Sequence, residues 1–496
     1  MPVVRDAKVI LLGLLFALSG CAREEYTRYF DKTVDLRQGQ AVLVEHRLGD
    51  IVIRTHPGLD VTIHAQIHVS AFDRARAEQY ANRIEILTEA GSSELSIRTR
   101  YPERPEFSLG FNSVSYSVRY ELTIPENAPL EVHSGFGGVS VTGLKANADI
   151  RTSHGLVSSR GGQGSQRLEN SFAAIEVADN AGDVTIENTN GEVRAHGVTG
   201  ALNIKDRFAS ISAEHVGNGL TIVNTNGTVN VSDIQGTARI TNAFGDVTAR
   251  DVRGDLTVHN GNGRIDASDV NGMAELNTSF AEVRFFEIGR ALSVRANNSQ
   301  IQGSKVKGSA DLANSFGRVS VTDVDGSVKV HSQNGEVSVS RIHGDATLRT
   351  SFGEIEATDV AGSLMVDNRN GSVKAANARS ASVRTSFAAV VLDQIAGRIE
   401  VDNQNGAVDA TGTSQGACQP ILIRTSFSPI RVHLDGNVGY RVSATTSFGK
   451  IRSDFPLTIS GGTSSDAFNG TIGSGGCDLQ LHDSNGSIEI LNARTH

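Results

Sequence analysis

The sequence predicts an all-β fold: a right-handed parallel β-solenoid with rungs of about 18 residues, organised as a 36-residue double repeat. Three observations predict it. Phe172, Phe208, Phe244, Phe280, Phe316 and Phe352 follow one another at intervals of 36, and Asn190, Asn226, Asn262, Asn298, Asn334 and Asn370 each stand 18 after one of them. Between these marks, short runs of alternating apolar and polar residues are separated by D-V-x-G and N-x-N-G sequences, the pattern of short strands joined by tight turns. The composition fits as well: 52 Gly but only 9 Pro among 496 residues supply turns without breaking regular backbone. A globular chain of this length would suggest about three domains. A solenoid instead grows by adding turns, without enlarging one core.

Residues 353–370 serve as the type unit. Ile355 and Ala357 alternate with Glu354, Glu356 and Thr358, so one strand has an apolar and a polar face. Asp359-Val360-Ala361-Gly362 turns the chain. Leu364 and Val366 then alternate with Ser363, Met365 and Asp367, and Asn368-Arg369-Asn370-Gly371 turns it back. Strands this short bury too little surface alone, whereas stacked copies share a continuous core. Parallel crossovers are strongly biased to the right hand. With rungs near 4.8 Å apart, ~20 rungs make a rod about 95 Å long. A coil of 18 is preferred to a single wide coil of 36, which would stack each Phe directly on the next; the spacing alone leaves both open.

Phe352 and Asn370 occupy equivalent slots with the parity of Leu348 and Leu364. Counting by strand parity points both inward, with a large ring and a small amide alternating in the core. The Phe and Asn rows are therefore read as a structural ladder. On this reading Phe316→Ala or Phe352→Ala costs roughly 3–5 kcal/mol.

In chain order, residues 1–20 read as a signal peptide, 21–31 as a tether, 32–129 as a β-rich N-terminal capping region with one helix, and 130–496 as the solenoid. Ala41-Val42-Leu43-Val44, 49–54 and 61–67 alternate as strands. Residues 71–84 change period: Phe72, Ala75, Ala77, Tyr80, Ala81 and Ile84 lie on one helical face. Strand candidates follow at 84–87, 95–98 and 114–124. This region is expected to cover the open end of the solenoid, where unpaired backbone groups would invite other chains. The array begins near Pro129. His154-Gly155 fills an Asn-Gly slot, Gly161 and Gly162 loosen one corner, and the regular spacing fails after Phe352, with Phe387, Phe427 and Phe448 off step. Residues 412–420 read as a loop leaving the coil. Asn469-Gly470 and Asn485-Gly486 read as the last turns.

The first 21 residues resemble a bacterial lipoprotein signal. Arg5 and Lys8 precede an apolar run at 9–18, which is short for a membrane span, and Leu18-Ser19-Gly20-Cys21 follows. The resemblance implies cleavage before Cys21, acylation of its thiol (palmitate among the chains) and stable anchoring in a membrane. Ala22 in place of Asp points, within that resemblance, to the outer membrane, facing either the periplasm or the surface. Cys418 and Cys477 remain. An exported chain meets an oxidising compartment, so a disulfide and two separate buried thiols both stay open.

From Pro125 to Val132 and onward through serial S-x-G or N-G turns with V-x-V and L-x-V strands, the chain resembles a family of bacterial β-helical proteins of unknown function grouped as adhesins. The resemblance spans about 40–490. It implies the β-helical fold and an adhesin-like role, and it brings no catalytic residues.

Candidate sites are few. Asp233, Asp251, Asp269, Asp323 and Asp359 recur at the corner, where Glu287, Lys305 and Arg341 interrupt them. Ca²⁺ needs six to eight converging oxygens, so these Asp residues are read as caps of their own turns. The 14 His are dispersed, and His259, His331 and His343 are read as belonging to different registers. No basic block supports nucleic-acid binding, since the net charge is −9. No metal or cofactor is expected. Three functions stay open: a non-enzymatic binding or scaffold protein holding an envelope glycan or surface protein, a β-helical carbohydrate-active enzyme with converging carboxylates at 412–450, or a structural spacer. The first is the reading adopted.

Overall fold

The computed structural model describes residues 23–102, 114–412, 418–459 and 467–493. The predicted signal peptide and Cys21 lie outside the described residues, as do 413–417 of the irregular segment. Among the described residues no helix is long and apolar enough to cross a membrane. The chain divides into two compact units, Met1–Val139 and Ser140–His496.

In the first unit, β1 (Glu24–Asp35) pairs antiparallel with β4 (Asp60–Ala71), which pairs antiparallel with β7 (Ser115–Pro125). β7 in turn pairs parallel with β3 (Ile51–His56). β2 (Ala41–Leu48) lies between β6 (Glu94–Arg100) and β8 (Leu130–Phe136), parallel to both, and β5 (Glu85–Ala90) pairs antiparallel with β6. The helix α1 runs Arg74–Arg83 and packs on β1 and β4. Asp73 caps it, its carboxylate accepting from the Arg76 N–H at 2.8 Å. Ala77, Ala81 and Ile84 are buried. Phe72 stands before the cap and is exposed, so the apolar face begins one turn later than the sequence pattern implies.

The second unit is a parallel β-solenoid of about 17 turns with 18-residue spacing. Each regular rung carries two strands, such as Leu256–Asn262 and Ile265–Val270. Each pairs with its counterpart 18 residues away: Leu256 with Ala274, and Ile265 with Val283. The wide 36-residue coil is thereby set aside. Leu256 and Val258 from one strand meet Ile265, Ala267 and Val270 from the other in a dry core. At the corner Asp269 has φ +57°. A residue in this left-handed region resets the alternation, so Val270 faces inward although it is an odd step from Ala267. Asp233, Asp251, Asp323 and Asp359 take the same conformation, as do Glu287, Lys305 and Arg341. The D-V motif thus records backbone conformation, which Asp tolerates better than bulky residues. This replaces the turn-capping reading: the outward carboxylates bond to neighbouring rungs, Glu287 to Lys305 at 2.6 Å and Asp359 to Asn377 at 2.8 Å.

The last rungs are stacked out of sequence order. Ile399–Asn403 pairs with Ile421–Thr425, 22 residues on. Ile421–Thr425 then pairs with Cys477–Asp483, whose other neighbour is the earlier strand Tyr440–Thr446. Tyr440–Thr446 also pairs antiparallel with Ala467–Ile472. Asn469-Gly470 sits inside that strand, so the expected turn there is corrected to a β-ladder position. Residues spent on this antiparallel addition reduce the rung number below the expected 20. Cys418 and Cys477 form a disulfide with Cα atoms 5.7 Å apart, at the place where the returning chain enters between two earlier rungs.

Candidate functional site

Each N-x-N-G or S-F-G turn carries two rows of side chains, and the inner row is not the expected one. Asn188, Asn224, Asn242, Asn260, Asn314 and Asn368 are buried at intervals of 18 or its multiples, with Thr278, Ser332 and Thr350 in the same column. Their amides hold the turn together. Asn242 Nδ2 lies 3.1 Å from the carbonyl oxygens of Gly227, Phe244 and Gly245. Asn314 Nδ2 donates to Ser299 O at 2.6 Å and Phe316 O at 2.8 Å. Buried carbonyls at stacked turns need such donors. An Asn placed two residues before the outer position supplies them to its own rung and to the rung before.

Phe172, Phe208, Phe244, Phe280, Phe316 and Phe352 are 50–60% exposed. Asn190, Asn226, Asn262, Asn298, Asn334 and Asn370 are exposed as well. The expectation that both rows point into the core is therefore wrong. The inward parity of Leu348 extends to Thr350, but the chain begins to turn before Phe352 and carries the ring outside. The expected loss of 3–5 kcal/mol on removing a Phe ring falls with it.

The outer row has a spatial regularity that the sequence does not display. After Phe352 and Asn370 come Phe387 and Asn405, then Phe427. The next outer residue along the chain is Phe448, two Phe in succession. In space the register places Asn485 beside Phe427 and Phe448 beyond it. Asn485 donates from its amide to Ser426 O at 2.9 Å, and the Phe448 N–H donates to Ser484 O at 3.1 Å. The order is thus Phe387, Asn405, Phe427, Asn485, Phe448. A Phe on every second rung, about 10 Å apart, persists where chain order is broken. At the other end, His154 fills the Asn slot and stacks on Phe172 with centroids 4.6 Å apart.

A groove of about 530 Å³ runs beside this row. Its small lining residues Ala243, Gly261, Ser279 and Ser315 each stand next to an outer-row position, and His259, Asn277, Arg295 and His331 line it farther back along the strands. His259 and His331 lie in one column: His259 pairs with Asn277 one rung on, and Ala313 pairs with His331. The expectation of different registers is corrected for these two, whereas His343 stands at the corner beside Asp325. The groove therefore combines imidazole, amide and guanidinium donors with a neighbouring row of exposed rings.

The other candidates hold less. A pocket of about 410 Å³ at the acidic corner is lined by Asp269, Glu287, Asp323 and Asp325 but also by Lys305 and Lys307, which oppose a cation. Near the irregular segment, Asp409 meets His433 at 3.1 Å, Glu489 meets Arg431 at 3.1 Å and Asp478 meets Arg441 at 2.9 Å. These carboxylates each face a base, not one another.

Residues 318–491 match the Toastrack DUF4097 family. The matched stretch takes in the last regular rungs and the out-of-order end. The expected resemblance to a family of β-helical repeat proteins of unknown function is borne out there, and the match is to no known enzyme family. No curated protein matches the chain. Among solved structures, a "putative cell adhesion protein" from Clostridium sporogenes ATCC 15579 aligns over 94% of this chain and 100% of its own at 8% identity. Its TM-score of 0.16 is too low for that likeness to carry weight.

Proposed function

We propose that this chain is a non-enzymatic, adhesin-like binding protein of the cell envelope, and that its ligand is an extended glycan lying along the Phe/Asn row. The observation that carries this reading is the alternation of exposed Phe and Asn kept in space at the C-terminal end, where sequence order alone would lose it. A row of rings about 10 Å apart matches a polymer whose unit is an extended β-linked disaccharide. Each ring would stack on the apolar face of every second sugar. The Asn amides between rings, with His259, Arg295 and His331 in the groove, would bond to hydroxyls. Aromatic faces with a few fixed polar groups are what a carbohydrate surface requires. The reading includes acyl anchorage at Cys21, which would hold the row at a membrane.

The Cys21→Ser chain, which should partition away from membranes, serves as the soluble sample for a glycan array and for pulldown on envelope polysaccharide. Retention on an extended β-linked glycan is expected. The triple change Phe244→Ala, Phe280→Ala, Phe316→Ala should weaken it at least about tenfold, with little change in thermal stability. No retained glycan, or unchanged retention by the triple variant, would sink the proposal and favour a structural spacer.

A further inference from the structure

A second cluster lies on the corner, away from the Phe row. His196 belongs to the strand Val193–Val198, and Glu214 and His215 to the next rung's strand Ile211–Val216. The register sets Glu214 directly beside His196. His215 occupies the left-handed corner slot, φ +55°. That conformation breaks the alternation and leaves His215 outward immediately after the outward Glu214. Consecutive residues of an undisturbed strand would point to opposite faces.

The distances are those of a ligand set. His196 Nδ1 is 3.6 Å from one Glu214 oxygen, and His215 Nδ1 is 3.6 Å from the other. One donor atom from each of the three residues lies within 4.8 Å of the others. The imidazoles meet edge to face with centroids 4.8 Å apart. Two donors bound tetrahedrally to one Zn²⁺ at its usual bond lengths stand about 3.4 Å apart; each imidazole nitrogen is nearly that close to one Glu214 oxygen, and the wider spacing of the trio, within 4.8 Å, closes by rotation of these exposed side chains. His215 Nε2 is 3.4 Å from Asp233 Oδ2 on the following rung. A carboxylate there holds the proton on Nε2 and leaves the Nδ1 lone pair free for a metal. Two imidazoles with one carboxylate suit Zn²⁺, Ni²⁺ or Cu²⁺, whereas Ca²⁺ and Mg²⁺ prefer sets of oxygens. Elsewhere in this corner column the regular array places Asp251, Asp269, Glu287, Lys305, Asp323, Arg341 and Asp359. Among the described residues, this is the one trio of such donors so gathered.

We propose that His196, Glu214 and His215 bind one divalent transition-metal ion on the outer corner, with Asp233 orienting His215. The ion would tie two successive rungs together, and three protein ligands leave a coordination position open to solvent.

The test uses the full chain, stripped with a chelator and titrated calorimetrically with Zn²⁺, and with Co²⁺ followed by visible absorption. One Zn²⁺ per chain at micromolar affinity or tighter is expected, with a tetrahedral Co²⁺ spectrum. His196→Ala and His215→Ala should each weaken binding at least about tenfold, and Asp233→Asn about tenfold. His343→Ala, an exposed histidine elsewhere on the solenoid, should leave the metal affinity unchanged. Circular dichroism of each variant verifies that the rungs remain folded. Absence of saturable binding overturns the proposal, as does unchanged affinity in the His196→Ala, His215→Ala double variant or an equal loss in His343→Ala.

Discussion

The regular array and the C-terminal end carry the same two rows of side chains but build them differently. In the array, chain order and spatial order coincide: Asn224, Asn242 and Asn260 succeed one another inside, while Asn226, Phe244 and Asn262 succeed one another outside. At the end, the rung bearing Asp483 and Asn485 slots between two earlier ones. The inner column there reads Asn403, Thr425, Asp483, Thr446, and all four are buried. The outer row still alternates Asn405, Phe427, Asn485, Phe448. Tandem copying of a 36-residue unit would carry the pattern along the chain. It would not carry it across a rung inserted out of order. The alternation is therefore a property of the surface and not a mere trace of duplication.

The sharpest way to break this comparison is to release the out-of-order rung. The Cys418–Cys477 bond closes a loop with a sequence separation of 59. In the chain-entropy view, such a closure stabilises by about 4 kcal/mol. Cys418→Ser should therefore loosen the end while the array keeps its protection. Hydrogen exchange reads this directly: amides of Tyr440–Thr446 and Cys477–Asp483 should exchange much faster, and those of Leu256–Asn262 at the original rate. Uniform change along both regions would mean that the end is not held separately.

The fold was legible because its signals are local and repeated. Val, Ile and Leu alternate with polar residues in strands too short to stand alone, and turn residues fall at fixed steps. The two rows were misread because parity counting assumes an unbroken strand. Thr350 and Phe352 share a parity, but the turn begins between them, and no single residue announces where it starts. The out-of-order stacking was illegible for a different reason: partners 58 residues apart, such as Thr425 and Asp483, obey no period. The His196, Glu214 and His215 cluster was in reach, because residues 196 and 214 differ by one rung length, but the left-handed conformation of His215 was not.

A smaller effect sharpens the picture within the array. Asp206 takes a position in the inner column where neighbouring rungs place Asn188 and Asn224, and it is 2% exposed. Burial pushes its carboxyl up from 3.8 to about 6, partly offset by backbone N–H donors from Arg207, Ala209 and Phe208. The folded pKa lies above the unfolded one, so the folded state binds the proton more tightly. The contribution of this group to stability is then fully present below pH 3.8 and is lost as pH rises through about 6. At neutral pH the loss is at most about 3 kcal/mol. Asp206→Asn should recover much of it and flatten the pH dependence across that window, as measured by urea denaturation at pH 4 and pH 7. An equal change at both pH values would show that ionisation is not the cause.

The finest comparison is between two residues of one turn. Asn242 faces in and Phe244 faces out. Asn242→Ala withdraws the donor serving Gly227 O, Phe244 O and Gly245 O. Phe244 O keeps the Gly227 N–H and Gly245 O keeps Asn260 Nδ2, so the loss falls mainly on Gly227 O and costs about 1–2 kcal/mol. Phe244→Ala removes a ring that is 51% exposed, so the apolar area returned to water is about half a ring and the cost under about 1 kcal/mol. Chemical denaturation of the two single variants decides the ranking. If Phe244→Ala proves the more damaging, the rings support the fold and the outer row loses its standing as a surface built for a ligand. If Asn242→Ala is worse and Phe244→Ala nearly silent, the fold has no use for the exposed rings, and something outside the chain has to account for them.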